Sequence, residues 1–181
     1  MASTKRIWIG GGLVHKNSSS SQEMTIELYS ETGPDGQVVV SSDRLFRACR
    51  EGNAAAVKHL LAKGTDPTKV NPEGLTPLHV ASLCGSSRVL EEILRARPDV
   101  VDVRCTDFAE EGSVRSDLVD GPGSQATPLH WAAWKGHVDA VKTLLACGAS
   151  VDARDLLGSS PLRFACWKGH DGVCACVIAV C

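Results

Sequence analysis

Apolar residues recur along this chain at the three- and four-residue spacing of amphipathic helices, in short segments that each follow a glycine. The clearest segments contain Val57, Leu60 and Leu61; Val89, Leu90, Ile93 and Leu94; and Val138, Val141, Leu144 and Leu145. A shorter helical segment precedes each turn glycine, and these glycines are Gly52, Gly85, Gly136 and Gly169. Glycine ends helices because it adopts the left-handed conformation without strain. The pattern therefore predicts four pairs of helices.

The start of each pair carries a repeated phrase. Thr76-Pro77-Leu78-His79 returns as Thr127-Pro128-Leu129-His130 and as Ser160-Pro161-Leu162-Arg163. A hydroxyl can cap the free N–H groups of a starting helix, and proline at the first helical position has no N–H to lose. Thr127 and Ser160 lie 33 positions apart, as do Asp43 and Thr76. A period of this length predicts an all-α solenoid of stacked helical hairpins.

The phrase and its period resemble ankyrin repeats, whose signature is T-P-L-H-x-A. The resemblance divides the chain into a leader, residues 1–42, and an ankyrin-repeat domain, residues 43–181. The repeats cover about 43–74, 75–107, 126–157 and 158–181. The first is degenerate, since it lacks the proline and the histidine, and the last is apparently truncated. The resemblance implies helix-turn-helix units joined by β-turn fingers.

The resemblance also gives the repeat phrase a structural role. It implies that the histidines hydrogen-bond within and between adjacent turns, with the threonines as polar partners; the residues concerned are Thr76, Pro77, His79, Thr127, Pro128 and His130. No nucleophile–base pair, phosphate loop or metal-ligand spacing accompanies them. The sequence therefore predicts a chain that is not an enzyme and that carries no catalytic residue, cofactor or metal site.

In ankyrin repeats the first helices and the fingers line a concave face that binds partners. The two positions before each turn glycine point to that face, and positions repeated every 33 residues must stack as a ladder. Exposed tryptophan beside cations is typical of a binding hot spot. The alternative is that Trp134 and Trp167 pack on each other and on the neighbouring helix. With the apolar finger residues, the predicted partner-binding set is Arg50, Glu51, Leu83, Trp134, Lys135, Leu156, Leu157, Trp167 and Lys168.

Three regions depart from the repeat. In the leader, two strand-like runs at 24–28 and 37–40 flank a turn, which predicts either a short β-hairpin or a disordered segment. An acidic insertion at about 108–125 predicts either a solvated loop or a contact with a basic partner. The final segment, 171–181, is apolar on nearly all sides. It predicts either a fragment of a longer array or a helix that docks on another chain, with self-association through its apolar surface.

Composition narrows the classes of function. The net charge of −2, with both signs interspersed, argues against nucleic acid as a partner. No apolar run reaches the roughly 18 residues of a membrane span. Cysteines such as Cys49 and Cys166 stand in for a small alanine of the repeat, and no C-x-x-C pair exists, so they are interpreted as free core thiols. The sequence thus predicts an intracellular protein, cytoplasmic or nuclear, in a reducing compartment.

These observations predict a non-enzymatic protein–protein interaction module that acts as an adaptor, scaffold or recognition subunit. Its partner is another protein, which the sequence does not identify, and we expect neither a nucleic acid nor a membrane as partner. The alternative is the substrate-recognition part of a larger multidomain protein, such as a ubiquitin-ligase adaptor, of which this chain is a fragment.

Overall fold

The computed structural model describes residues 6–9, 12–15, 42–106 and 121–180 of the chain. Its helices are α1 (Ser42–Arg50), α2 (Ala54–Ala62), α3 (Pro77–Leu83), α4 (Ser87–Ala96), α5 (Pro128–Lys135), α6 (Val138–Ala146), α7 (Pro161–Lys168) and α8 (Asp171–Ile178). A single 3-10 turn, Pro98–Val100, follows α4. The proline that opens α3, α5 and α7 is the first residue of each helix, as the repeated phrase predicts.

The helices form a solenoid of four hairpins. The first helices, α1, α3, α5 and α7, pack on one another in succession, and so do the second helices, α2, α4, α6 and α8. Each hairpin thus buries its apolar stripe against its neighbours and shares one continuous core with them. Small residues such as Ala81, Ala132 and Ala165 are fully buried in the first helices, where they let neighbouring helices approach closely. This arrangement confirms the predicted all-α solenoid.

Two short strands lie in the leader. β1 (Arg6–Ile9) pairs antiparallel with β2 (Gly12–His15), and Ile9 stands opposite Gly12. The sequence analysis did not assign strands to these residues. The hairpin that it offered at 24–28 and 37–40 lies outside the described residues.

Backbone hydrogen bonds connect the residues on either side of the insertion. The backbone N–H of Cys105 donates to the carbonyl of Ala126 at 3.0 Å, and the N–H of Gln125 donates to the carbonyl of Cys105 at 3.2 Å. These two bonds join the chain on either side of residues 107–120, which lie outside the described residues. The predicted contact between the insertion and a basic partner falls mostly on that range.

The last helix is less uniformly exposed than its composition suggests. Val173 and Val177 are fully buried because that side of α8 packs against α6. Ile178 and Val180 are the large apolar residues that remain exposed in this segment. Ala175 and Ala179 are exposed as well, so the apolar surface expected at the end of the chain is present but does not extend around the whole helix.

Histidines link the second repeat to the third, and the third to the fourth, through hydrogen bonds to backbone carbonyls. The Nε2 atom of His79 lies 3.1 Å from the carbonyl oxygen of Ala126, and that of His130 lies 3.0 Å from the carbonyl oxygen of Ser159. At the other end of the hairpins, His137 and His170 make equivalent contacts with the carbonyls of Leu83 and Trp134, at 3.0 and 3.1 Å. Each bond joins two successive repeats.

The turn glycines make room for two of these imidazoles. Gly136 has a φ of +76°, and a Cβ atom at this position would lie 2.6 Å from Nδ1 of His170. Gly85 stands in the same relation to His137, with a φ of +70° and the same 2.6 Å approach. Any larger residue would meet backbone strain and a steric clash together. Glycine therefore serves both the turn and the packing of the next repeat.

The two core imidazoles are held in the neutral form. The backbone N–H of Thr76 donates to Nδ1 of His79 at 3.2 Å, so Nε2 carries the ring proton and donates to Ala126. Thr127 and His130 repeat the arrangement at 3.1 Å. Burial lowers the pKa of His79 to about 4, because the charged ring would lose its hydration, and burial likewise lowers the pKa of His130.

We predict that acid destabilises the solenoid through His79. The folded-state pKa lies below the ordinary value of about 6.5, so the unfolded chain binds the proton first as the pH falls. With a folded pKa of about 4, the free energy of unfolding should decrease by about 3 kcal/mol between about pH 7 and about pH 4 from this residue alone. Urea titrations monitored by circular dichroism at each pH measure this free energy of unfolding.

The control for this prediction is His79→Gln, which removes the titrating ring. The variant should be less stable than the parent at neutral pH and should lose markedly less stability on acidification. Carboxylates titrate in both proteins, so their contribution cancels in the comparison. An equal loss in the two proteins would contradict the assignment of the acid sensitivity to His79.

Candidate functional site

The predicted partner-binding residues lie at the ends of the first helices and in one finger. Because α1, α3, α5 and α7 stack in order, their last turns follow one another along one side of the solenoid. Among the predicted ladder residues, Leu83 is half-buried, Trp134 is buried, and the others are exposed, namely Arg50, Glu51, Lys135, Trp167 and Lys168. The ladder is therefore a mixed row of charges with one exposed indole.

Trp134 corrects the expectation of two exposed tryptophans. It is only 6% exposed and packs edge-to-face on Trp131, with ring centroids 5.8 Å apart and an interplanar angle of 84°. The physical reason is its position in α5, which has a neighbouring first helix on both sides, α3 and α7. Trp131 is itself fully buried. Trp134 thus belongs to the core, with Trp131 as its aromatic partner.

Trp167 occupies the equivalent position in α7 and remains 59% exposed. The Lys168 ammonium lies 4.6 Å from its ring centroid and 5.9 Å from that of Trp134. The Lys135 ammonium lies 4.0 Å from the Trp134 centroid. Such cation–π contacts are worth about 0.5–1 kcal/mol at exposed sites. We call Trp134, Lys135, Trp167 and Lys168 the indole–lysine patch, in which two ammonium groups are held over aromatic rings.

Two exposed leucines form the tip of the last finger. Leu156 is 60% exposed and Leu157 is 77% exposed. The turn that carries them is closed by Asp155, whose carboxylate accepts the N–H of Leu157 at 3.0 Å and the N–H of Ser159 at 2.7 Å. The N–H of Leu156 donates to the carbonyl of Ser124 at 2.9 Å. The finger tip, Leu156 and Leu157, is therefore apolar and exposed, and its backbone is held in place by hydrogen bonds.

The turn itself does not require leucine. In the first finger Asn71 closes the same turn by accepting the N–H groups of Glu73 and Leu75, at 3.0 and 2.9 Å. The two positions that correspond to the leucines hold Pro72 and Glu73 there. Since the same turn forms around proline and glutamate, folding leaves the two exposed leucines without a structural explanation. An exposed apolar pair of this kind is typical of an interaction surface.

Three arginines beside the finger were missed in the sequence analysis. Arg104 donates to the carbonyls of Gln125 and Arg154 at 3.2 and 2.8 Å, and Arg154 donates to the carbonyl of Gly158 at 3.3 Å. Arg163 donates to Oγ of Ser159 at 3.2 Å. All three are exposed. The available signal was Arg163 itself, which stands where the repeat phrase has histidine.

The buried histidines offer no accessible acid or base. Both ring nitrogens of His79 and of His130 are occupied by protein groups, and both rings are fully buried. Over residues 42–106 and 121–180 the structure brings together no group of three or more His, Cys, Asp or Glu that could hold a metal ion. Within the same ranges, every helix falls short of the length and apolar character needed to cross a bilayer.

Comparison with known proteins identifies the repeat. A family model described as ankyrin repeats, in three copies, matches residues 45–155 and, in a second match, residues 108–179. The chain is 31% identical over 170 residues to the neurogenic locus notch homolog protein 1 of Xenopus tropicalis, a match that covers 81% of this chain and 7% of that protein.

Two further relatives have different names. The palmitoyltransferase Hip14 of Drosophila melanogaster is 33% identical over 118 residues, which cover 64% of this chain and 16% of that protein. The human ankyrin repeat and SOCS box protein 2 is 28% identical over 111 residues, which cover 61% of this chain and 15% of that protein. The chain therefore spans less than a fifth of the length of each of these relatives.

We predict that the two ladder tryptophans differ sharply in their contribution to stability. Trp134→Ala should lower the free energy of unfolding by about 3–5 kcal/mol, because it empties a packed site between α3 and α7. Trp167→Ala should lower it by less than about 1 kcal/mol, because more than half of its side chain is already in water. Denaturant titration of both variants against the parent chain measures the difference, and equal losses would contradict the assignment of Trp134 to the core.

Proposed function

Because the chain belongs to the ankyrin-repeat family, we propose that it is a non-enzymatic module that binds a partner protein through the finger tip and the indole–lysine patch. Ankyrin repeats are protein–protein interaction modules, and this supports the general class of function. The specific observation behind the proposal is the exposed pair Leu156 and Leu157 on a turn that forms without leucine in the first finger.

The energetics of the finger tip favour binding. Apolar surface removed from water contributes about 25 cal/mol per Å², so covering two largely exposed leucines is favourable. Their backbone is already fixed by Asp155 and Ser124, which reduces the conformational entropy that a partner would have to remove. The finger tip therefore acts as a preorganised anchor for an apolar pocket of the partner.

The charges of the patch favour a particular kind of partner. Lys135 and Lys168 hold their ammonium groups over the indoles, and the finger is flanked by three arginines. Carboxylates of the partner would meet these cations, while its apolar groups would cover Trp167 and the finger tip. The proposed partner surface is thus acidic and carries an apolar pocket. Arg50, Glu51 and Leu83 complete the predicted face at the other end of the ladder.

The cysteines support the proposed compartment. The seven described cysteines, Cys49, Cys84, Cys105, Cys147, Cys166, Cys174 and Cys176, are all free thiols. Free thiols on an exposed surface persist where glutathione keeps them reduced. We therefore place the proposed module in the cytoplasm or nucleus. The exposed strip of Ile178 and Val180 is our candidate for the self-association that the sequence suggested.

We predict that replacing the finger tip and the exposed indole abolishes partner capture. The full chain and the triple variant Leu156→Ser, Leu157→Ser, Trp167→Ala are immobilised and exposed to cell extract, and the retained proteins are quantified by mass spectrometry. A direct partner should be depleted at least about tenfold on the variant, since hot-spot truncation costs about 2 kcal/mol or more.

The matched control is Lys58→Ala with Lys142→Ala, two exposed residues of the second helices α2 and α6. This variant should retain the same proteins as the parent. Circular dichroism should show the same helical content in all three chains. Equal retention on the triple variant and the parent would contradict the proposed face.

A second candidate function is the substrate-recognition part of a larger multidomain protein, such as a ubiquitin-ligase adaptor. It is favoured by the small share of each relative that the chain matches and by one relative whose name joins ankyrin repeats to a SOCS box. An antibody against residues 43–181 should then detect, in cells that express the gene, a polypeptide much heavier than 19.2 kDa. A native band at that mass would contradict this candidate.

A further inference from the structure

Two cysteine sulfurs meet between the helices of the last repeat. Sγ of Cys166 in α7 lies 3.3 Å from Sγ of Cys174 in α8. Cys166 is exposed and Cys174 is half-buried. The sequence analysis had placed Cys166 in the core because it replaces a small alanine, and that expectation is wrong. The side chain instead lies at the surface, where it contacts the thiol of the second helix.

We propose that Cys166 and Cys174 are a reversible modification site, at which a low-molecular-weight disulfide such as glutathione disulfide oxidises the two thiols to an intramolecular disulfide.

The geometry is close to that of the product. A disulfide has an S–S distance of about 2.0 Å, so the two sulfurs need to approach by only about 1.3 Å, which small side-chain rotations can provide. Buried residues near each cysteine hold the two helices in place, namely Phe164 and Ala165 in α7 and Val173 and Val177 in α8. The folded repeat thus holds both thiols near reacting distance.

The environments of the two thiols assign their roles. Cys166 is open to solvent, so a dissolved disulfide can reach it first. Burial, followed by the hydrogen bond and the charge of Cys166, raises the pKa of Cys174 to about 11. Cys174 therefore keeps its proton at neutral pH, and Cys166 is the thiol that reacts first. The thiolate is the attacking form in thiol–disulfide exchange.

The exchange proceeds in two balanced steps. The Cys166 thiolate attacks one sulfur of glutathione disulfide; a Cys166–glutathione bond forms, the glutathione S–S bond breaks, and one glutathione thiolate leaves and takes up a proton. Cys174 then loses its proton to solvent and attacks Cys166 Sγ; the intramolecular bond forms and a second glutathione leaves and is protonated. Two protein thiols are oxidised, and one glutathione disulfide is reduced to two glutathione thiols.

The bond would fix the two helices of the repeat to each other. Cys166 is adjacent in sequence to Trp167 of the indole–lysine patch, whereas Cys174 lies on the second helix, so the crosslink couples the two layers of the solenoid. The proposal does not depend on the binding function, because it concerns the chemistry of the repeat alone. Loss of partner capture would leave it unaffected.

The test is peptide mapping of the full chain after equilibration in a glutathione redox buffer. Free thiols are alkylated and the protein is digested with trypsin, which cuts after Arg163 and Lys168. Oxidation should yield the peptide 164–168 linked to the peptide 169–181, and reduction should release both. Half-oxidation of the folded chain should require at least tenfold less glutathione disulfide than half-oxidation of the chain in guanidinium chloride.

The control variants identify the second thiol. Cys174→Ser should lose the linked peptide, whereas Cys176→Ser should retain it, since positions two apart on a helix point about 200° from each other. Both substitutions replace a half-buried cysteine of α8 with the same residue. A linked peptide in Cys174→Ser, or equal oxidation of the folded and unfolded chains, would overturn the proposal.

Discussion

The hydrogen bond from a histidine to a carbonyl of the adjacent repeat is the interaction on which this structure depends. A carbonyl buried away from water needs a donor. Imidazoles supply it where the second repeat meets the third and where the third meets the fourth, namely those of His79, His130, His137 and His170. These bonds set the register of one hairpin on the next. The register aligns the last turns of the first helices, and that alignment brings Lys135, Lys168 and their indoles together.

Residues that start and end helices made most of the fold predictable. Proline at the first helical position and glycine at the turn act within a few residues, so the starts and ends of the helices follow from the sequence. Trp134 and Trp167 could not be told apart in this way, because they occupy the same position in successive repeats. What separates them is whether another first helix packs over them, and that is a property of the stack.

The two fingers carry different side chains on the same backbone turn. Asn71 and Asp155 close the same turn through two backbone N–H groups, although one turn carries Pro72 and Glu73 and the other carries two leucines. The side chains at the tip are therefore free to vary while the backbone stays fixed. The apolar character of Leu156 and Leu157 could be recognised from the sequence, whereas their exposure on a closed turn could only be seen in the structure.

The base of the insertion has a consequence for protein engineering. The backbone bonds between Cys105 and residues 125 and 126 close the chain before and after residues 107–120, and His79 still reaches Ala126 across a separation of 47 residues. The register of the repeats therefore does not depend on the length or sequence of the segment between these bonds. This junction is a natural grafting point, at which a foreign peptide can be displayed as a constrained loop on an unchanged scaffold.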